Sequence, residues 1–147
     1  MLLDPRGPRF SAAVTTVVLV LVLITGSGWL ALAQAVVFAL SAFRPALSPY
    51  GLVYRALLAP RLGRPEELEP AAPFRFAQTV GLGFAAVATV GYLAGAPVVG
   101  TVAAGFALAA AFLNAAFGLC LGCEAFLLFR RATHRPVQSR VPNPAAH

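Results

Sequence analysis

Charged residues are scarce in this chain of 147 residues: they make up only 11% of it, far below the roughly one quarter that is typical of a soluble domain. Hydrophobic residues make up 59%, and they come in long runs rather than in alternating or half-apolar patterns. This composition excludes an ordinary soluble domain and predicts an all-α membrane protein. Lysine is absent, so every basic residue is an arginine, a bias that indicates a bacterial source.

The sequence also lacks the common signatures of enzymes and cofactors. It has no G-x-S-x-G, no phosphate-binding glycine loop and no H-E-x-x-H, which argues against a stand-alone hydrolase, kinase or metalloprotease. Two cysteines are too few for a structural zinc site, and only His134 lies near them, so we expect no metal and no other cofactor. The arginines that give the net charge of +6 lie beside apolar runs, where they contact lipid headgroups. We therefore expect no nucleic-acid partner.

Four apolar runs predict four transmembrane helices arranged as two hairpins. Each hairpin has a minimal uncharged turn, Gly26-Ser27-Gly28 in the first and Gly95-Ala96-Pro97 in the second. The first two runs are at or below the roughly 17 residues that a spanning helix needs, so we expect cramped helices or a locally thinned bilayer there. The runs are Phe10 to Thr25, Trp29 to Phe43, Phe76 to Ala94, and one from Pro97 to Phe129.

The arginines predict the orientation, since they occupy both ends and the middle of the chain and neither turn has any. By the positive-inside rule, both termini and the middle segment are cytoplasmic in a multi-pass protein of the bacterial cell membrane. Within the middle segment, Tyr50 to Leu58 predicts a helix in the interface, and Arg61 to Pro73 predicts a loop. Residues 1–131 would form one membrane domain, and the proline-rich residues 132–147 a disordered cytoplasmic tail.

The two halves of the chain, residues 9–58 and 75–131, resemble each other. Pro8-Arg9-Phe10 opens the first and Phe74-Arg75-Phe76 the second, and each is followed by a helix, a glycine turn and a second helix. A short interfacial helix would follow helix 2 and another helix 4. Two crossings in each half give both halves the same orientation, related by an axis along the membrane normal.

Cys120 and Cys123 are the only residues that point to chemistry. A continuous helix from Pro97 to Phe129 would rise roughly 50 Å through a hydrocarbon core of about 30 Å, so the run should break, most readily between Gly118 and Gly122. That break places the cysteines at the cytoplasmic interface, on or just before a short helix. Two cysteines three residues apart on a helical turn can form a disulfide, and a helix amino terminus lowers the pKa of a thiol.

The neighbours of the cysteines allow other interpretations. Glu124 disfavours a second negative charge unless an arginine such as Arg130 or Arg44 neutralises it. Gly118-x-x-x-Gly122 is also a helix-packing pattern, in which a cysteine serves as a small apolar residue. The polar residues of the runs should point into the bundle as hydrogen-bond partners; they are Gln34, Gln78, Thr79 and Asn114. Asn114, six residues before Cys120, is expected to line the approach to it.

Three stretches resemble the bacterial membrane family called domain of unknown function 4395. They are Asp4-Pro5-Arg6 through Arg9-Phe10, then Ser48-Pro49-Tyr50-Gly51, then Asn114 through Glu124 with its Phe-Gly before a Cys-x-Gly-Cys. The resemblance covers about residues 4 to 131. The family's characteristic cysteines carry over onto Cys120 and Cys123. Members are often encoded beside thioredoxin-like proteins and sulfurtransferases, which implies a link to thiol or sulfur metabolism.

Three functions from different classes stay open. The first and favoured one is a thiol module, in which the cysteines exchange electrons or sulfur with a cytoplasmic thioredoxin or sulfurtransferase. The second is a small transporter of a sulfur-containing anion, which would need a homo-oligomer because four short helices leave little room for a path. The third is a structural anchor in the lipid with packing cysteines. For the site itself we expect Cys120 and Cys123 to act as the catalytic pair, with Asn114, Gly118, Gly122 and Glu124 as supporting residues.

Overall fold

Most of the chain is helical, and its long helices follow the apolar runs of the sequence. The structure is a computed structural model, and it describes residues 2–133 and 141–142. In chain order the elements are β1 (Leu2–Leu3), α1 (Arg6–Thr25), α2 (Gly28–Phe43), a 3-10 turn (Pro45–Leu47), α3 (Pro49–Val53), a π turn (Tyr54–Leu58), α4 (Ala59–Leu62), β2 (Glu67–Pro70), α5 (Ala71–Leu93), α6 (Pro97–Phe117), α7 (Leu121–Ala132) and β3 (Val141–Pro142).

Three of these helices, α1, α5 and α6, are long and apolar enough to cross a membrane, and α2 is a shorter apolar helix of 16 residues. The expectation of a cramped first helix was wrong, because α1 begins at Arg6 and reaches 20 residues. Asp4 makes this possible: its carboxylate accepts the Arg6 backbone N–H, one of the unpaired donors at a helix start. Large apolar side chains such as Ile24 and Val98 remain exposed on the outer faces, as expected of surfaces that meet lipid. The chain therefore fits a multi-pass membrane protein.

The two predicted glycine turns lie side by side at one end of the bundle. Gly26 ends α1 with a φ of 63°, and its N–H bonds the Val22 carbonyl. Gly95 follows α5 with a φ of 83°. A Cβ added at Gly28 would lie 2.7 Å from the Leu93 side chain, so the second turn packs directly on the first. We call this end of the molecule the turn end.

Small side chains hold the helices together near the turn end. There α2 packs mainly along α5, and α1 along α6, with α5 and α6 also in contact. The buried cluster consists of Val22, Ala31, Ala88, Ala103 and Ala104. Small residues of this kind let helix backbones approach closely, as is typical of membrane helices. The helices are therefore closely packed near the turn end.

Two arginines hold the opposite end, which we call the arginine end. The Arg9 side chain, near the start of α1, donates to the Ala115 carbonyl near the end of α6 (3.4 Å). The Arg75 side chain, near the start of α5, donates to the Ala42 carbonyl near the end of α2 (2.7 Å). Each arginine thus pairs a free carbonyl in the last turn of a helix of the other hairpin. Both hairpins consequently begin and end at the same end of the bundle.

The middle segment folds back on the amino terminus at the arginine end. The predicted helix from Tyr50 to Leu58 is helical, and it forms part of a longer stretch from Pro49 to Leu62. Asp4 forms an ion pair with Arg6 (3.1 Å) and accepts the Tyr54 hydroxyl (3.0 Å). The burial of Asp4 raises its pKa, but the hydrogen bonds from Arg6 and Tyr54 outweigh burial and leave the pKa below its ordinary value. Burial, and then the bond to Asp4, raise the pKa of Tyr54 to about 12.

The fold is not purely α-helical, and the predicted loop of residues 61–73 was wrong. Within it α4 continues to Leu62, β2 occupies Glu67–Pro70, and α5 already begins at Ala71. β2 pairs antiparallel with β1 on one side and β3 on the other. A proline biases the preceding residue to extended backbone and is tolerated in the first turn of a helix, which favours a strand up to Pro70 and a helix after it. Of the tail predicted to be disordered, residues 134–140 and 143–147 lie outside the described part.

Candidate functional site

The fourth apolar run breaks at Gly118, as its length predicted. Gly118 adopts a φ of 68°, a conformation that favours glycine, and its N–H bonds the Asn114 carbonyl (3.0 Å). This bond is the single-bond pattern by which a left-handed glycine ends many helices, and the Leu119 N–H also bonds the Leu113 carbonyl (3.2 Å). The Arg9 guanidinium packs over this turn, 3.7 Å from where a Cβ on Gly118 would lie. The chain thereby leaves α6 just before the cysteines.

Cys120 and Cys123 are joined by a disulfide at the start of α7. Their Cα atoms lie 5.2 Å apart, within the usual range for such a bond. Cys120 is the residue directly before the helix, and its sulfur accepts the Cys123 N–H (3.1 Å). The prediction that the pair lies on or just before a short helix is confirmed. Cys120 therefore both caps α7 and belongs to the disulfide.

Gly122 brings α7 against α5. A Cβ added at Gly122 would lie 2.6 Å from the Cβ of Ala77 and 2.7 Å from its Cα, closer than any side chain tolerates. Farther along α7, the rings of Phe126 and Phe76 pack at a centroid distance of 5.7 Å. The cysteine pair is therefore fixed on the side of α5, not at the free end of a loop.

Glu124 does not have the arginine partner that the sequence suggested. Its side chain is exposed in the first turn of α7, where the helix dipole favours a negative charge. Arg130 lies over the ring of Phe126, 5.0 Å from its centroid. Within residues 2–133 and 141–142, the structure shows no ion pair between Glu124 and Arg130 or Arg44. The carboxylate thus stays solvated beside the disulfide.

Cys120 lines a cavity of about 360 Å³ between α1, α5, α6 and α7. Asn114 lines the same cavity, as do Ser11, Thr15 and Gln78, and the remaining wall is largely alanine and phenylalanine. Cys123 does not reach it, so the two sulfur atoms have different surroundings. No charged side chain of the described residues lines this space. One sulfur of the disulfide thus lies at the wall of a neutral, mostly apolar cavity inside the bundle.

The polar residues of the runs divide into two groups. Gln34 is buried, receives the Tyr50 hydroxyl on its oxygen (2.7 Å) and donates to the Thr15 hydroxyl (3.5 Å). Thr79 bonds the Arg75 carbonyl of its own helix. The side-chain amides of Gln78 and Asn114 make no hydrogen bond within the described part of the chain. Gln34 points into the bundle, as expected, but the expectation was wrong for Thr79, which is exposed and bonds only its own helix. Gln78 and Asn114 leave two amides at the cavity without a partner among the described residues.

A metal site has no support from the arrangement of side chains. Among residues 2–133 and 141–142, no three His, Cys, Asp or Glu side chains come together. His134, the one extra ligand considered from the sequence, lies outside the described residues.

Comparison with known proteins gives a family match. A family model described as domain of unknown function (DUF4395) matches residues 3–131. The chain belongs to this family. No curated protein and no solved structure matches the chain. The resemblance noted in the sequence is confirmed, and the three stretches that carried it are the Asp4 and Arg6 anchor, the cap at Ser48 and the cysteine turn of this DUF4395 chain.

Sequence reasoning missed two parts of the site. It did not foresee that Arg9 packs over Gly118, although the matched Arg9-Phe10 and Arg75-Phe76 pairs were a signal that both arginines serve equivalent ends. It also did not foresee the phenylalanines of the cavity wall, since an aromatic residue in an apolar run looks the same whether it faces lipid, another helix or an open space.

Proposed function

We propose that this DUF4395 chain is a four-crossing membrane protein in which Cys120 and Cys123 form a working thiol pair at the cytoplasmic interface. The two hairpins supply the crossings, with α2 spanning a locally thinned bilayer. The reciprocal bonds of Arg9 and Arg75 support the proposed repeat, because each half holds the other in the same way. The stretch after α2 and α7 after α6 would lie in the interface.

The single observation that carries this function is the position of Cys120, which caps α7 and lines the cavity at the same time. A packing cysteine would need neither a partner at disulfide distance nor access to a chamber. In the reduced state, the free N–H groups and the dipole at the start of α7 would favour the thiolate of Cys120. The same groups that hold the turn would thus prepare the sulfur for attack.

If the cysteines face the cytoplasm as proposed, the disulfide between them bears directly on their function. Glutathione and thioredoxin keep cytoplasmic thiols reduced, so a disulfide on that side is usually transient and either catalytic or redox-sensing. The pair would therefore cycle between states instead of bracing the fold. A cytoplasmic thioredoxin-like protein or sulfurtransferase is the partner we propose, since Cys123 lies away from the cavity and is only partly buried.

Transport of a sulfur-containing anion finds less support. An anion in a low-dielectric chamber needs a paired positive charge, and the cavity next to Cys120 has none. A purely structural anchor is supported by the close contact of Gly122 with Ala77, but that contact explains the glycine and not the sulfur atoms.

Thiol labelling in oriented vesicles tests the proposal. After mild reduction, a membrane-impermeant maleimide should label Cys120 or Cys123 in inside-out vesicles and not in right-side-out vesicles, and prior oxidation should protect both together. Cys120→Ser and Cys123→Ser should each abolish disulfide formation and any thiol-dependent activity while the protein still inserts. Protein that inserts but cannot be labelled from the cytoplasmic side would overturn the proposal.

The opposite turn provides a matched control. Ala96 is exposed at the turn end, far along the bundle from the cysteines. In a background without Cys120 and Cys123, the single variant Ala96→Cys should label only in right-side-out vesicles. Labelling of both sites from the same face would contradict the four-crossing arrangement and not the chemistry.

A further inference from the structure

We propose that the cavity beside Cys120 binds the head of a lipid-soluble quinone, and that this quinone oxidises the reduced cysteine pair. The inference rests on the proposed thiol function and adds the class of substrate. It follows from three features of the described residues: the charge of the cavity, the groups at its wall, and the apolar groove that continues from it.

The lack of charged side chains in the cavity wall favours a neutral ligand. Its walls hold no arginine, aspartate or glutamate, although eleven arginines are present in the chain and several lie at the same end of the bundle. A charged ligand would therefore lose its hydration without gaining a counter-charge. The cavity volume of about 360 Å³ lies at the lower end of the range typical for small-molecule sites, about 300–1,000 Å³.

The groups at the wall select a flat ligand with hydrogen-bond acceptors. Phe38, Phe76, Phe84 and Phe106 contribute aromatic surface, against which a ring packs favourably. The amides of Asn114 and Gln78 offer N–H donors that no group of the described residues uses. A quinone ring has two carbonyl oxygens to accept such bonds, and it is itself an acceptor of electrons.

An apolar groove gives the ligand a tail. It lies between α5 and α6 with a volume of about 650 Å³, and its lining, which includes Gly83, Val87 and Val102, has no charged or amide side chain. Val80, Phe84 and Phe106 line both the cavity and this groove, so the two spaces adjoin. A small neutral head with a long apolar tail matches this pair of spaces, and membrane quinones have that form.

The reaction balances between the two partners. The Cys120 thiolate adds to the quinone ring and forms a sulfur–carbon bond. The Cys123 thiolate then attacks the sulfur of Cys120, so the disulfide forms and the sulfur–carbon bond breaks, its electron pair staying with the ring. Two protons from water complete the hydroquinone. The dithiol has lost two electrons and the quinone has gained them, and a cytoplasmic dithiol then reduces the disulfide again.

The direct test uses the full chain in nanodiscs, reduced and freed of reductant without oxygen. Addition of a short-tailed benzoquinone should yield one hydroquinone and one disulfide per chain, followed by ultraviolet absorbance and by thiol alkylation. Cys123→Ser should stop the reaction at a covalent adduct on Cys120, which intact-mass spectrometry would detect. If the reduced protein leaves the quinone unchanged, the inference is wrong.

Two glycines provide a matched pair for the tail. A Cβ at Gly83 or at Gly105 meets nothing within 4 Å, but only Gly83 lines the groove. Gly83→Leu should weaken the apparent affinity for a long-tailed quinone at least about tenfold, a loss of about 1.4 kcal/mol, and leave the short-tailed one unchanged. Gly105→Leu should change neither. Equal behaviour of the two variants would show that the groove holds only ordinary lipid, and would overturn the placement of the tail.

The quinone inference and the proposed thiol function can be disproved separately. If a thioredoxin-like dithiol reduces the disulfide but no quinone reoxidises it, the quinone inference falls and the thiol function stands. If the disulfide neither forms nor breaks under any condition that leaves the protein folded, both fall together.

Discussion

Two turns of this molecule share one geometry and differ in what they can do. Ser48 precedes α3, and its hydroxyl accepts the Gly51 N–H (3.3 Å). Cys120 precedes α7, and its sulfur accepts the Cys123 N–H (3.1 Å). In both, the cap reaches the backbone three residues ahead, which is the usual way to satisfy a helix start. A capping turn thus already holds two side chains at the spacing that a disulfide needs.

The surroundings of the two turns differ more than the turns do. Ser48 is buried and its hydroxyl accepts the Ser41 hydroxyl (2.9 Å), so the side chain is covered by protein. Two residues on, Tyr50 extends into the bundle and bonds Gln34. In the second turn, the corresponding residue is Gly122, which has no side chain, and Cys120 faces an open cavity. Under the proposed function, thiol chemistry needs both the cysteine pair and the open cavity beside Cys120.

Moving the cysteine pair from one turn to the other gives the largest expected effect. In a background with Cys120→Ser and Cys123→Ser, the double variant Ser48→Cys and Gly51→Cys should form a disulfide on oxidation, since the Cβ at position 51 would lie 3.3 Å from that of residue 48. It should not exchange electrons with a short-tailed benzoquinone, because residue 48 is buried and does not line the cavity. Thiol alkylation and mass spectrometry measure the first result, and the ultraviolet absorbance of the hydroquinone the second.

Each of the two predicted results can be contradicted. If the transplanted pair stays reduced, the cap geometry does not suffice for a disulfide. If it exchanges as fast as the native pair, the cavity is not needed, and the comparison of the two turns loses its meaning.

The second-largest effect is expected from a substitution at the contact of α7 with α5. Gly122→Ala forces a methyl group into Ala77, including its backbone Cα, and we expect a loss of about 1–3 kcal/mol in the free energy of unfolding. Gly51→Ala is the matched control in the other turn, where the added methyl meets only the Ser48 side chain at ordinary-to-tight distances. It should change stability by less than about 0.5 kcal/mol. Thermal unfolding in detergent, followed by circular dichroism, compares the two; equal losses would contradict the special role of Gly122.

The smallest effect concerns the anchor that only the first half possesses. Tyr54→Phe removes the bond to Asp4 and should cost about 1 kcal/mol at neutral pH. Because folding raises the pKa of Tyr54 from 10.0 to about 12, its contribution is complete below pH 10 and is lost as pH rises towards 12. Folding lowers the pKa of Asp4 from 3.8, so that contribution is present above pH 4 and lost as pH falls below it.

Unfolding at different pH values checks this anchor. The native chain should lose more stability than Tyr54→Phe between pH 9 and pH 11, measured against its own value at pH 7. Tyr92→Phe removes a hydroxyl that bonds only Thr101 at the turn end, and it should keep the alkaline loss of the native chain. If Tyr54→Phe keeps that loss too, the anchor does not titrate as described.

Sequence reasoning predicted the parts of the fold that depend on local chemistry. The helix ends at Gly26 and Gly118 followed from glycine and from the length of the apolar runs, and the cysteine turn followed from that break. β2 could not be predicted, because its partners Leu2–Leu3 and Val141–Pro142 lie far away in the chain and a short acidic stretch with prolines is typical of a linker. The cavity could not be predicted either, since it depends on where the helices do not touch.

The redox state of the pair in intact cells tests the central claim most directly. Cells are quenched with acid, free thiols are alkylated with a reagent of known mass, and the protein is analysed for the bond between Cys120 and Cys123. The account predicts both oxidised and reduced forms, with a ratio that shifts within minutes when a thiol oxidant or a reductant is added, and with both cysteines changing together. A pair that stays entirely reduced, or entirely oxidised, through both treatments would contradict a working thiol pair.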